Sequence, residues 1–127
     1  MSLNIQVQSD HATLARIGAA LLVLICLDAA WLSLTRNTLY ASVQATRLGY
    51  GLVAWLTLAT CIAAGRAGAT GQAAKWGAAV GASTYLVFNG TELAIRPTWP
   101  LKTAAADAAW GTAACTLVAV ILYHYSP

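Results

Sequence analysis

The sequence predicts an all-α protein: a four-transmembrane-helix bundle, antiparallel and up-down, forming a single integral membrane domain over residues 1–127. Three observations predict it. The composition is 59% hydrophobic and 9% charged, against about 45–50% apolar and 25% charged for an average soluble domain. A chain this short has too much surface for its volume to hide that much apolar area from water, so lipid is the natural solvent. Four apolar segments follow one another, each near the ~20 residues that cross a hydrocarbon core of about 30 Å. Cations bracket the three connections: Arg36 and Arg47, Arg66 and Lys75, Arg96 and Lys102.

The polar stretch 1–13, "MSLNIQVQSDHAT", carries no Lys or Arg and matches a secretory signal poorly. Spans are then predicted at about 17–35, 48–65, 76–95 and 103–123. They are helices because backbone groups in lipid must bond within their own segment. In the last connection, "RPTWPLK" (96–102), Pro97 and Pro100 stop helix continuation, and Trp99 is expected at the membrane interface. Arg36, Arg47, Arg96 and Lys102 fall on one side and Arg16, Arg66 and Lys75 on the other. That balance is too even to orient the chain by the positive-inside rule.

Several function classes drop out. The net charge of +3 comes from cations spread singly, whereas nucleic acid needs a clustered basic patch. Cys26, Cys61 and Cys115 are odd in number and lack C-x-x-C spacing. They read as buried, inert thiols in helix interiors rather than a disulfide framework or zinc site. His124 is expected at the interface, because no second ligand is spaced to make a metal site with it. Asn89-Gly90-Thr91 matches a glycosylation acceptor but lies inside a span. No nucleophile–base pair, phosphate loop or HExxH is present, so no catalytic residue, metal or cofactor is named.

Acidic residues carry the remaining signal. "DAAW" occurs twice, at 28–31 and 107–110. Asp28 lies eight residues before Arg36, Glu92 four before Arg96, and Asp107 five after Lys102. At the helical rise these depths are about 12, 6 and 7.5 Å from cations on one side of the membrane. The three carboxylates are therefore expected in one half of the bilayer. Tyr85, Asn89, Glu92 and Arg96 form a polar stripe on the third helix, and Gly77 and Gly81 form a G-x-x-x-G on the same face. Asp28, Trp31 and Thr35 share a face of the first helix; Thr103, Asp107, Trp110, Gly111 and Ala114 share one of the fourth.

These stripes are expected to meet inside the bundle as a polar cluster of Asp28, Trp31, Tyr85, Asn89, Thr91, Glu92, Asp107 and Trp110. Gly77, Gly81 and Gly111 are the expected packing positions. Bland readings stand beside this one. Glu92 and Arg96 form an i,i+4 pair, and Asp107 near a helix start would meet the helix dipole. Asp28 has neither excuse; an indole N–H from Trp110 or Trp31 would satisfy it. Intramembrane acids mark function by default.

The run Gly81–Gly111, with Asp28, Trp31, Leu32 and Tyr40 earlier, resembles a family of small predicted membrane proteins of unknown function. Its members carry D-x-x-W-L, then Y-x-x-x-[ND]-x-T-N, W-P and D-x-x-W-G. The matches here are Tyr85, Asn89 and Thr91, then Trp99 and Pro100, then Asp107, Trp110 and Gly111; Glu92 stands where the motif ends in Asn. The resemblance implies a compact four-helix membrane protein and no established activity. The functional expectation is a non-enzymatic multi-pass membrane protein, an accessory or structural subunit of a larger complex. Its partners would be membrane lipids and other membrane chains, in a homo- or hetero-oligomer. The alternative is a small proton- or cation-coupled carrier using the acidic cluster.

Overall fold

The computed structural model describes residues 10–41 and 48–125. Four helices make up the bundle: α1 (Asp10–Thr35), α2 (Leu48–Ala64), α3 (Thr70–Ile95) and α4 (Leu101–Tyr125). The architecture is all-α, as expected, and among the described residues there is no strand. Two helices, over His11–Thr35 and Leu101–Tyr125, are long and apolar enough to cross a membrane. The apolar run Gly49–Ala64 is shorter, and α3 is diluted by Gln72, Lys75, Asn89 and Glu92.

Helix boundaries differ from the sequence expectation at three places. The first helix begins at Asp10, inside the stretch read as a polar tail, whose residues 1–9 lie outside the described part. The third begins at Thr70 rather than 76, and Gln72 Oε1 in its first turn accepts the Gly68 N–H (2.8 Å). That side chain gives an otherwise unpaired loop amide a partner, so the helix starts before its apolar run does. The fourth begins at Leu101, straight after Pro100, and ends at Tyr125.

The two ends of the bundle are built differently. At one end, Thr103 Oγ1 donates to the Leu39 carbonyl, which ties the turn after α1 to the start of α4. At the other, the Arg16 guanidinium of α1 donates to the carbonyls of Ala63 (3.4 Å) and Gly65 (3.3 Å). Trp76 Nε1 shares its proton between the carbonyls of Cys61 and Ile62, both 3.2 Å away. These donors satisfy the carbonyls that the last turn of α2 leaves without intrahelical partners. Tyr123 donates to the Gly68 carbonyl, and Thr70 meets His124 across the same end.

Between the ends, α3 packs most extensively on α4, and α1 on α2. Lipid is as apolar as leucine, so helices associate here through close van der Waals fit rather than a hydrophobic drive. On α3 the buried positions Ala73, Gly77 and Gly81 recur every four residues, and they meet Gly111, Cys115 and Ala119 of α4. A Cβ on Gly81 would lie 2.6 Å from the Gly111 carbonyl oxygen, and one on Gly77 would lie 2.7 Å from Thr116 Cα. The Tyr85 ring occupies the place a Gly111 side chain would take. The apolar core (Ala20, Leu24, Leu58, Ile62, Cys115, Val118 and neighbours) fills the half of the bundle nearer Arg16. Cys115 is buried as expected, but Cys26 and Cys61 face outward, because the contact faces of α1 and α2 lie elsewhere on those helices.

Two glycine substitutions should act in opposite directions. Gly81→Ala forces α3 and α4 apart and is expected to cost about 1–3 kcal/mol, as overpacking does. Gly90→Ala, with nothing within 4 Å of the new methyl, should stabilise by about 0.5–1 kcal/mol through backbone entropy. Detergent-titrated unfolding of the two variants checks this; equal effects would refute the close α3–α4 approach.

Candidate functional site

The other half of the bundle holds two buried carboxylates, Asp28 and Asp107, each 8% exposed. Neither has a cationic partner: among the described residues the ion pair is Glu92–Arg96. A charge at mid-bilayer costs about 2.5–3.5 kcal/mol on insertion scales, so these groups need donors.

Asp28 obtains them from two indoles. Trp55 Nε1 on α2 donates to Oδ2 (2.6 Å) and Trp110 Nε1 on α4 donates to Oδ1 (2.8 Å). Asp107 obtains them from a loop and from α3. The Tyr40 hydroxyl donates to Oδ1 (2.5 Å) and the Asn89 amide to Oδ2 (2.7 Å). Hydrogen bonds to charged groups contribute about 1.5–3 kcal/mol each, so two per carboxylate match or exceed the insertion cost.

Proton direction is dictated by the tryptophans, because an indole can only donate. Trp31 Nε1 donates to the Tyr40 oxygen (2.8 Å), so the phenol's own proton goes to Asp107. Trp99 Nε1 donates to Asn89 Oδ1 (3.1 Å), which sends the amide N–H groups to Asp107 and to the Tyr85 carbonyl (2.9 Å). Each carboxylate is therefore the terminal acceptor of its own directed set of hydrogen bonds. The Trp31 and Trp110 rings join the two sets, stacked at 4.8 Å with planes 3° apart. Phe88 packs edge-on against Trp99 (6.1 Å), and Arg96 lies over that ring (5.7 Å).

The structure brings together Asp28, Trp31, Asn89, Asp107 and Trp110, with the Tyr85 ring seated on Gly111 beside them. It leaves Thr91 and Glu92 out. Thr91 is exposed and bonds back to the Val87 carbonyl of its own helix. Glu92 stays with Arg96 (2.9 Å), and its Oε2 has no hydrogen-bond partner, so the contact is electrostatic. Asn89 and Glu92 stand only about 60° apart around α3, yet Asn89 reaches across to Asp107 of α4 while Glu92 turns along its own helix to Arg96. Asp107 sits in the second turn of α4, too far in for the helix dipole to hold it. Trp99, expected at the interface, is buried at 7% exposure and used as a donor.

Sequence reasoning missed Trp55, and placed Tyr40 only by resemblance. A signal existed: a buried indole needs an acceptor, and the apolar runs offer few side-chain acceptors besides the two aspartates. Tyr40, outside the spans, is affected by this setting. Burial pushes its phenol up, and donation to Asp107 pushes it the same way.

Apolar outward faces around an internally satisfied polar network define a membrane-embedded helical bundle. The chain belongs to the family described as "Predicted membrane protein (DUF2177)", whose model matches residues 13–124. No curated protein matches the chain, and no solved structure does.

Tyr40→Phe should cost about 1–3 kcal/mol, because it removes both a donor to Asp107 and the acceptor of the Trp31 N–H. Trp55→Phe removes one bond where Tyr40→Phe removes two, and should cost less. Unfolding titrations of both variants rank them; a neutral Tyr40→Phe would refute the directed network. In wild type the folded chain holds the Tyr40 proton more tightly than the unfolded chain does. That contribution is intact below about pH 10 and is lost as pH rises through the folded Tyr40 value. Tyrosinate absorbance should show a class ionising above the ordinary phenol range, and Tyr40→Phe should diminish it.

Proposed function

We propose that the chain is a non-enzymatic, multi-pass integral membrane protein serving as an accessory or structural subunit of a larger membrane assembly. The observation that carries this reading is the saturation of Asp28 and Asp107. All four of their oxygens accept protons from other elements of the same chain. Groups so occupied hold helices together, and neither carboxylate has an oxygen without an internal donor.

A second feature supports an assembly partner. Ala15, Ala19, Leu22, Cys26, Ala29 and Ser33 follow one another at spacings of four and three residues, and all are exposed. That spacing is a helix-packing seam, and its small side chains let a neighbouring transmembrane helix approach closely. No other described residue covers it.

A small proton- or cation-coupled carrier is the second reading. A cavity of about 270 Å³ between α2 and α3 favours it, because that cavity reaches Asp107 past Trp55, Tyr85 and Phe88. Under that reading, Asp107→Asn in reconstituted vesicles abolishes a pH- or cation-driven flux; wild-type vesicles without such a flux remove it.

For the subunit reading, blue-native electrophoresis of mildly solubilised native membranes should place the chain in a species larger than itself. Ala19→Leu with Ala29→Leu should release it to its own size while near-ultraviolet circular dichroism stays unchanged. Wild type migrating only at its own size sinks the proposal.

A further inference from the structure

At the end of the bundle away from the aspartates, the helices leave a continuous depression with two chemistries. Its polar part lies between α1, the end of α2 and the start of α3. A cavity of about 200 Å³ is lined by Arg16, Arg66, Trp76 and Tyr123, among others. A second, of about 390 Å³, shares Arg66 and Trp76 with it and adds Gln72 and Lys75. Three cations thus gather around adjoining spaces. Arg16 is buried at 7% exposure and spends two of its donors on α2 carbonyls; a guanidinium has five. The same carbonyls are the negative end of the α2 dipole, and Arg16 and Trp76 already cover them. The first turn of α3, whose dipole is positive, borders the second cavity. The electrostatics of this end therefore favour an anion.

The apolar part continues from it. Trp76 and Ala79 also line a groove of about 610 Å³ between α2 and α3, which runs on past Val80 and Ser83 to Val87. From Lys75 to Val87 the helix rises about 18 Å, close to the ~15 Å hydrocarbon depth of a single leaflet. A cationic chamber at the level of the helix ends thus opens into an apolar trough one leaflet deep.

We propose that this depression is a binding site for an anionic phospholipid, with its phosphate among Arg16, Arg66 and Lys75 and an acyl chain along the α2–α3 groove. Charge complementarity selects the headgroup, and continuity of the two spaces through Trp76 and Ala79 places the chain. A free phosphate would use only the first space. A transmembrane helix from a second polypeptide would use only the trough, and would gain nothing from the three cations.

Native mass spectrometry of the full chain in detergent micelles tests this, using phosphatidylglycerol and phosphatidylcholine of identical acyl chains. Phosphatidylglycerol should be retained in preference by about fivefold or more, since a single basic side chain near a lipid surface contributes about fivefold. Arg66→Ala with Lys75→Ala, both at exposed positions, should abolish the preference. Ser83→Trp, which fills the trough and leaves all three cations, should lose phosphatidylglycerol as well. Circular dichroism must match wild type for each variant; Arg16 is left intact because it caps α2. Equal retention of the two lipids, or a preference that survives the double variant, overturns the proposal. So does inorganic phosphate displacing the lipid, which assigns a free-anion site. A Ser83→Trp variant that loses a bound polypeptide while keeping the lipid assigns the trough to protein and overturns it too.

Discussion

The structure depends on one constraint: a carboxylate placed among apolar helices must have both oxygens occupied by donors. Asp28 and Asp107 meet it with neutral donors only. A cation would balance the charge, but it would have to be carried to the same depth at a similar insertion cost. Indole, phenol and amide donors reach that depth cheaply because most of their surface is apolar or already bonded. Each also comes from a different element. Satisfying two side chains therefore fixes α1, α2, α3, α4 and the turn at Tyr40 relative to one another.

The repeated DAAW acquires a physical meaning in that light. The tryptophan of each copy serves the aspartate of the other. Trp110 donates directly to Asp28, while Trp31 reaches Asp107 through the Tyr40 hydroxyl. The two rings stack where the paths cross. A three-residue offset puts Asp and Trp on one face of a helix. Two such helices packed face to face then exchange donors crosswise. Neither copy satisfies itself: the Trp110 N–H points to Asp28 of the partner helix, and the Trp31 N–H points to Tyr40 in the turn after its own.

The two halves of the bundle hold together by different means. Near the aspartates, directional hydrogen bonds set the geometry. Near Arg16, Gly77 and Gly81 let α3 and α4 backbones come within van der Waals reach, and apolar side chains fill the rest. Contact between α2 and α3 is sparse. Their outward sides therefore separate and leave the trough below Trp76 and the cavity at Asp107. Tight packing on one seam and a gap on the other are two outcomes of the same distribution of small and large residues.

By itself the sequence determined the all-α class, the order of the helices and where each one ends, though not where α1 and α3 begin, and the acids as the costly groups. It also marked Gly77, Gly81 and Gly111, since apolar length, turn residues and helical spacing are local properties. Tertiary structure alone decided which donor meets which acceptor. Trp55 lies 27 positions from Asp28 and Tyr40 lies 67 from Asp107, and no local period connects them. It also decided that Asn89 turns inward while Glu92, three residues on, turns to Arg96. Spacing along a helix gives a stripe about 100° wide, but the neighbour's exact angle of approach selects which edge of that stripe is buried.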